Sequence, residues 1–227
     1  MAQSLSEVPR VGSIGCAHLY QAGIEWDLNL PSSAALCAEE KNTVRSQIIH
    51  KLNSPPTSSV GRFFDAVASI IGICQEANYE AQAAIELEAV VDPTETGAYP
   101  VEITLETEDP AHPDARQLLL EQSVIISSVV DDYLSGIPTS VIAARFHNSL
   151  ANAAAEVCQL LKERTGLTKV VLSGGVWQNI TLLEKTIDLL KNRDFKVYYH
   201  NQVPTNDGGF SLGQAAIAAY NLHNTGR

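Results

Sequence analysis

The chain has 227 residues, 45% of them hydrophobic, so it is long enough to form one compact domain or two small ones around a substantial core. Its formal net charge of −11, with 15 Lys and Arg against 26 Asp and Glu, argues against nucleic acid or an anionic membrane as a partner, because both require clustered cations. Four widely spaced cysteines without a C-x-x-C pair indicate neither a zinc ribbon nor a disulfide framework, and we expect reduced thiols in a cytoplasmic protein.

Residues 1–53 predict an irregular N-terminal segment followed by one helix. The first 31 residues show little hydrophobic periodicity, and MAQSLSEVPR lacks the basic start and apolar core of a secretory leader. The helix is predicted to begin after Pro31-Ser32-Ser33, and four apolar residues are available for its buried side: Leu36, Val44, Ile48 and Leu52.

The middle of the chain predicts three helices and one strand. SPPTSS, residues 54–59, is a breaker and cap cluster in which Ser58 or Ser59 can cap the helix VGRFFDAVASIIGICQEA. YPVEITLE, residues 99–106, alternates as a half-buried strand does. Two long helices follow, RQLLLEQSVIISSVVDDYLSG and SVIAARFHNSLANAAAEVCQLLKERTG.

The last third alternates strongly between strand and helix patterns. The order is strand KVVLS, a helix ending at Lys191, strand KVYYH, loop NQVPTNDGG and helix FSLGQAAIAAYNLHN. Such an order favours parallel strands joined by a right-handed helical crossover. The predicted fold class is therefore α/β.

Two loops follow the predicted strands and should open at the same edge of the sheet. In α/β proteins ligands bind at the carboxyl ends of strands, where helix N-termini present N–H groups to anions. Ser173, Gly174 and Gly175 occupy the first loop, and the glycine pair is either a sharp turn or a place where phosphates approach the backbone. The chain has neither a G-K-[ST] phosphate loop nor a G-x-G-x-x-G fingerprint.

Asp207, in the second loop, is either a helix N-cap or a carboxylate that holds a cation facing phosphates. The chain contains no H-x-x-x-H or H-E-x-x-H pattern that would complete a metal site. We interpret His200 as a strand-end residue rather than a ligand, and His147 as a satisfied helix histidine.

Two carboxylates stand among residues that favour burial. Asp65 lies in GRFFDAVASI and Glu86 in AAIELEA, and a buried charge without a partner is costly. A ribose diol supplies two O–H donors that an acidic pair can accept. The alternative is a structural role, such as a helix cap or a salt bridge with Arg62.

Four separated motifs together resemble one family. TSSVGRFFDAVASIIGICQEANYEAQAAIELEA, ARFHNSLA, VVLSGGVWQN and VPTNDGGFSLGQA, in this order, resemble the C-terminal part of the last domain of the hydrogenase maturation carbamoyltransferases, the HypF family. That domain is related to the threonylcarbamoyl transferases. The resemblance implies a partial actin/sugar kinase/heat-shock ATPase (ribonuclease H-like) architecture with an inserted mainly helical region. Residues 54–227 would form the C-terminal lobe of a nucleotide-binding domain.

The resemblance also implies roles for individual residues. Those implied to bind the nucleotide are Asp65, Glu86, Ser173, Gly174, Gly175 and Asn179. Asp207 is implied to be the single carboxylate ligand of a metal that two histidines complete in the family, and those histidines lie outside this chain. Ala81, in YEAQ, departs from the pattern, because glycine is expected there.

The function implied by the resemblance is carbamoyl transfer. ATP or carbamoyl-adenylate and Mg would be bound, and a transition metal, Fe or Zn, only if the missing histidines are supplied. The acceptor would be the C-terminal cysteine of a hydrogenase maturation partner. We expect part of an enzyme that is incomplete alone, whose missing N-terminal half is a possible second partner and whose exposed surface leads to self-association or instability. The alternatives are a non-catalytic binding or assembly module and an O-carbamoyltransferase-related protein.

Overall fold

The computed structural model describes residues 10–26, 29–55, 57–106 and 117–224. The chain divides into two compact units, Met1–Ala153 and Ala154–Arg227, and the boundary falls inside a 27-residue helix. The boundary predicted between residues 53 and 54 was placed where the family motifs begin, not where the packing divides. It stays a prediction.

The first unit is mainly helical, with one small antiparallel sheet. Its elements in chain order are α1 (Val11–Gln21), α2 (Pro31–Ala34), α3 (Ala38–His50), α4 (Val60–Ile70), α5 (Gln82–Ala89), β1 (Ile103–Glu106), β2 (Gln117–Leu120), α6 (Gln122–Leu134) and the first part of α7 (Thr139–Thr165). β1 and β2 pair with Ile103 opposite Leu120.

The prediction of an irregular segment before residue 31 was wrong for the part of it that the structure describes. α1 is a regular helix that places Val11, Cys16 and Leu19 in the core. Its two glycines lower helix propensity, but they permit close packing: a Cβ at Gly15 would lie 2.8 Å from Ser69 Oγ. Tertiary packing thus overrides the weak local signal.

Two further predictions need correction. α3 forms where a helix was expected, but none of its residues is buried, and Leu52 beyond its end is exposed. The pattern that begins RQLLL is a strand at Gln117–Leu120 rather than the first turn of a helix, since β1 offers it a pairing partner. Hydrophobic runs of four residues do not distinguish strand from helix by periodicity alone.

α4 carries the core of the first unit. Ser59 caps it by accepting a hydrogen bond from the Arg62 N–H at 3.4 Å, as predicted. The predicted apolar stripe is confirmed within α4, where Phe63, Val67 and Ile70 are buried; Cys74 is also buried but lies beyond the end of α4, so the predicted helix is shorter than expected. Phe64 meets the rings of Phe146 and His147 edge-on, with centroids 5.0 and 5.2 Å away.

The second unit contains the end of α7 and the predicted strand and helix alternation. Its elements are β3 (Lys169–Leu172), a 3-10 turn (Gly175–Gln178), α8 (Ile180–Lys191), β4 (Lys196–Tyr199), a second 3-10 turn (Asp207–Gly209) and α9 (Phe210–Asn224). β3 and β4 are parallel, as predicted, with Leu172 opposite Tyr199. Leu172, Leu190 and Phe195 pack together in its core.

α9 presents uncovered apolar surface. Residues 210–223 are all exposed, and five large apolar side chains are more than half exposed: Phe210, Leu212, Ile217, Tyr220 and Leu222. Large exposed apolar side chains of this kind are common at sites of protein association. Among the described residues, no helix has the length and apolar character needed to cross a membrane.

Ala81 occupies a backbone conformation that favours glycine. It precedes α5 with φ 59° and ψ 16°, in the left-handed region. The Cβ of an L-residue is crowded there, at a cost of roughly 1–2 kcal/mol. The alanine at this position, where glycine is expected, therefore strains the backbone.

We therefore expect Ala81→Gly to raise the free energy of unfolding by about 1 kcal/mol, because glycine relieves this crowding and loses only part of the gain to chain entropy. Chemical denaturation measures the change. Ala84→Gly, inside α5, is the matched control and should lower stability by about 1 kcal/mol. A loss of stability in both variants would contradict the assignment of strain to Ala81.

Candidate functional site

The loops that follow β3 and β4 are joined to each other by hydrogen bonds. The Gly174 N–H donates to the Thr205 carbonyl at 3.0 Å, and the Thr205 hydroxyl donates back to the Gly174 carbonyl. The prediction that the two loops converge at one edge of the sheet is therefore confirmed.

Gly174 and Gly175 have different structural roles. Gly174 has φ 107° and ψ 161°, a region that is essentially restricted to glycine. Gly175 is not among the residues with positive φ, and a Cβ there would meet only Asn206 Cβ, at 3.9 Å. The turn interpretation thus holds for Gly174, whereas Gly175 leaves its backbone open to solvent.

Open backbone donors remain beside this turn. Gly174 has committed its N–H to Thr205, but Gly175 and Val176 begin the 3-10 turn and their N–H groups have no acceptor among the described residues. N–H groups at a helix start are suited to anions. If phosphate binds to this loop, the donors are therefore Gly175 and Val176 rather than Gly174.

Ser173 and His200 are the first residues after the paired parts of β3 and β4, at the same edge of the sheet. Ser173 follows β3 and His200 follows β4, and the Ser173 Oγ lies 3.1 Å from the His200 Nε2. Sequence reasoning treated His200 as a strand-end residue and did not pair it with Ser173. Equal distance from the ends of two parallel strands was the signal that would have found it.

Asn206, not Asp207, caps the second 3-10 turn. The Asn206 Oδ1 accepts from the Gly208 N–H at 3.1 Å, so the N-cap alternative for Asp207 was wrong. Asp207 is exposed at the first position of that turn. The tight turn also requires Gly209, because a Cβ there would lie 2.6 Å from the Pro204 carbonyl oxygen.

Asn179 has a structural role. Its Oδ1 accepts from the Leu182 N–H at 2.8 Å, which caps α8, and the residue is 8% exposed. An N-cap of this kind contributes about 1 kcal/mol. Asn179 therefore fixes where α8 begins relative to the Gly175 turn.

Asp207 as the single carboxylate ligand of a metal, completed by histidines outside this chain, stays a prediction. Within the described ranges no group of three or more His, Cys, Asp and Glu side chains could hold a metal ion. Asp207 is a single exposed carboxylate, and a metal site takes three or more ligands.

In the first unit, Asp65 and Glu86 act on the same thiol. The Arg62 Nη1 donates to the Asp65 Oδ2 at 3.1 Å, and the Gln82 Nε2 donates to the Glu86 Oε1 at 2.7 Å. Burial raises the pKa of the Cys74 thiol, and the nearby charges of Glu86 and Asp65 raise it further. The structure thus brings the two carboxylates together around Cys74, and it also supplies the predicted Arg62 salt bridge.

Burial of the Asp65 carboxylate costs folding free energy. Its side chain is 14% exposed, and burial raises the pKa of Asp65 above the usual 3.8, although Arg62 opposes the shift. The ionised form is therefore less stable in the folded chain than in water.

We expect Asp65→Asn to leave the chain as stable as the wild type or more stable at neutral pH. Because folding raises this pKa, the folded state holds the Asp65 proton more tightly, and stability falls as pH rises from 3.8 through the raised value. The advantage of the asparagine variant in chemical denaturation should appear across this range and vanish below it. Asp131→Asn, at an exposed position, is the control. Lower stability of Asp65→Asn at neutral pH would show that the Arg62 pair dominates instead.

None of the three partly or fully buried thiols is activated. Burial raises the pKa of Cys16 to about 11 and also raises the pKa values of Cys74 and Cys158. A thiol rather than a thiolate is a poor nucleophile. All four cysteines, including the exposed Cys37, are free.

Comparison with known proteins decides the family. The model of the second subdomain of the carbamoyltransferase Kae1-like domain, HypF_C_2, matches residues 6–214. The chain belongs to the HypF family of hydrogenase maturation carbamoyltransferases. Carbamoyltransferase HypF of Synechocystis sp. is 34% identical over 186 residues, which cover 77% of this chain and 23% of the relative. Carbamoyltransferase HypF of Rhodobacter capsulatus is 33% identical over 187 residues, covering 82% and 23%.

A solved HypF structure shares the fold. The crystal structure of full-length HypF in its phosphate- and nucleotide-bound form is 35% identical, has a TM-score of 0.83 and covers 93% of this chain and 32% of that one. The α/β fold class is thereby confirmed. The chain spans about a quarter of the length of these two curated HypF relatives, at 23% of each.

Proposed function

We propose that this chain is the nucleotide-binding part of a carbamoyltransferase in NiFe-hydrogenase maturation, acting in the cytoplasm. The observation that carries the proposal is the likeness, over 93% of the chain, to a HypF structure in a phosphate- and nucleotide-bound form. Its ligand would be ATP or carbamoyl-adenylate.

The second unit would contact the phosphates. Gly175 and Val176 offer backbone N–H groups, and Ser173 offers a hydroxyl beside them. The charge distribution supports phosphate binding by the second unit. Residues 154–227 contain eight Lys and Arg against six Asp and Glu, whereas residues 1–153 contain seven Lys and Arg against twenty Asp and Glu. An anionic ligand favours the less acidic unit. Asn179 would contribute indirectly by fixing the start of α8.

Asp65 and Glu86 are proposed as acceptors for ribose hydroxyls, on the basis of their surroundings within the first unit. Both carboxylates are partly buried, and each has one of its oxygens paired, with Arg62 or Gln82. The second oxygen of Asp65 is available as an acceptor for an O–H donor, whereas Glu86 also interacts with the Cys74 thiol and would accept through its remaining lone pairs. The energetic cost of burying Asp65 is expected at a binding residue rather than at a purely structural one.

The proposed reaction uses the thiolate of a partner protein. A partner's C-terminal cysteine sulfur would attack the carbamoyl carbon of carbamoyl-adenylate, the bond from that carbon to the phosphate oxygen would break, and AMP would leave as a thiocarbamate forms. Charge develops on the departing phosphate, which donors such as the Gly175 and Val176 N–H groups would stabilise. The raised pKa values of Cys16, Cys74 and Cys158 support an external nucleophile. No step depends on a metal bound to Asp207.

Calorimetric titration with ATP and Mg²⁺ tests nucleotide binding. We expect the wild-type chain to bind and Asp65→Ala to lose at least about tenfold in affinity, because one charged acceptor for the ribose is removed, an interaction of about 1.5–3 kcal/mol. Asp131→Ala, an exposed carboxylate of the same unit, should bind like the wild type. Equal affinity of Asp65→Ala and the wild type would exclude a ribose contact by Asp65.

Carbamoyl transfer is tested in a chimera. The region of Synechocystis HypF that matches this chain is replaced by this chain, and an acceptor peptide ending in cysteine is incubated with carbamoyl phosphate and ATP. We expect mass spectrometry to detect a thiocarbamate on the peptide, as with unmodified Synechocystis HypF. A folded chimera that binds ATP but transfers nothing would contradict the transferase role.

A non-catalytic assembly module is the second candidate, and the uncovered apolar surface of α9 favours it. Such a module would dock a partner without a nucleotide. It predicts that the wild-type chain gives no heat with ATP, whereas the nucleotide-binding proposal predicts saturable binding.

A further inference from the structure

We infer that His200 is a positioning residue that donates a hydrogen bond from its Nε2 to the Ser173 Oγ, so that the Ser173 hydroxyl proton is directed to a ligand phosphate. The inference rests on the proposed phosphate-binding role of the loop after β3. It goes beyond that role by assigning a function to His200 and a proton to its Nε2.

The strand register places the pair. Leu172 and Tyr199 are the last paired residues of β3 and β4, so Ser173 and His200 are the next residues at the carboxyl edge. Their side chains meet at 3.1 Å between Oγ and Nε2. Parallel pairing brings residues that follow the two strands by equal distances to the same place.

The two loops are also hydrogen-bonded to each other beyond the pair, one residue after Ser173 and five residues after His200. Gly174 donates to the Thr205 carbonyl at 3.0 Å, and Thr205 donates its hydroxyl to the Gly174 carbonyl. Both Ser173 and His200 are exposed, so their contact alone would be labile. The strand on one side and the Thr205 bonds on the other keep the two residues adjacent.

The proton count determines the direction of the hydrogen bond in a complex. A phosphate oxygen without a proton accepts hydrogen bonds, so Ser173 can bind it only as a donor. A serine hydroxyl has one proton but two lone pairs, and a histidine Nε2 either donates or accepts. If Nε2 accepted the serine proton, none would remain for the phosphate. The Nε2 of His200 must therefore carry a proton when phosphate is bound.

This direction determines which substitutions preserve the function. Glutamine carries amide N–H donors at a reach similar to that of the histidine Nε2, so His200→Gln should retain the hydrogen bond to Ser173. His200→Ala removes the donor. Neither change should alter the melting temperature, because the His200 side chain is exposed.

A double-mutant cycle with ATP and Mg²⁺ as the titrant tests the inference. We expect His200→Ala to weaken binding about three- to tenfold, the range for loss of one hydrogen bond, and His200→Gln to stay close to the wild type. In the Ser173→Ala background, His200→Ala should produce no further loss. Nitrogen NMR of the ring should show a protonated Nε2 in the ATP complex.

Three results would overturn it. Equal losses from His200→Ala in the wild-type and Ser173→Ala backgrounds would show that His200 acts without Ser173. An unprotonated Nε2 in the ATP complex would exclude the assigned donor. Absence of ATP binding by the wild-type chain would overturn the proposed function itself, and this outcome is distinct from the first two, which require binding.

Discussion

The hydrogen bonds between Gly174 and Thr205 hold together the part of the molecule on which the functional account depends. They join the loops after β3 and β4, so the carboxyl edge of a two-stranded parallel sheet becomes one continuous surface. They also require the conformation of Gly174, which only glycine adopts readily. As a result, the next two N–H groups are exposed, and Ser173 and His200 are adjacent.

Two features of the first unit lower its folding stability. Asp65 is buried far enough to raise its pKa, and Ala81, which immediately precedes α5, the helix of Glu86, has a left-handed backbone conformation. Each feature costs folding free energy; Asp65 is itself a residue that the resemblance implies to contact a nucleotide, and Ala81 precedes the helix that carries the other, Glu86. Proteins retain such costs at functional sites when the surrounding packing is sufficient to bear them. The buried aromatic contacts of Phe64 with Phe146 and His147 provide that packing.

Sequence reasoning succeeded where a strong local pattern agreed with tertiary packing. The stripe of α4, the long α7 and the parallel pair β3 and β4 were all predictable, because their periodicity extends over many residues or repeats in α/β order. α1 was missed because Gly15 lowers the local helix propensity. The advantage of a glycine there is close packing against Ser69, which the local sequence does not show. β2 was mistaken for helix because its four residues have no distinctive periodicity and run directly into the pattern of α6. At the candidate site, the loops were predictable, but the pairing of Ser173 with His200 and the cap at Asn206 required coordinates.

The central claim is that the open backbone beside Gly174 receives phosphate, and an amide NMR titration of the chain with ATP and Mg²⁺ tests it most directly. The account predicts that the Gly175 and Val176 amide signals shift together and saturate with the same affinity. Saturable shifts that leave both amides unchanged would show that the nucleotide binds elsewhere on the chain. No shift at any amide would contradict nucleotide binding by this chain altogether.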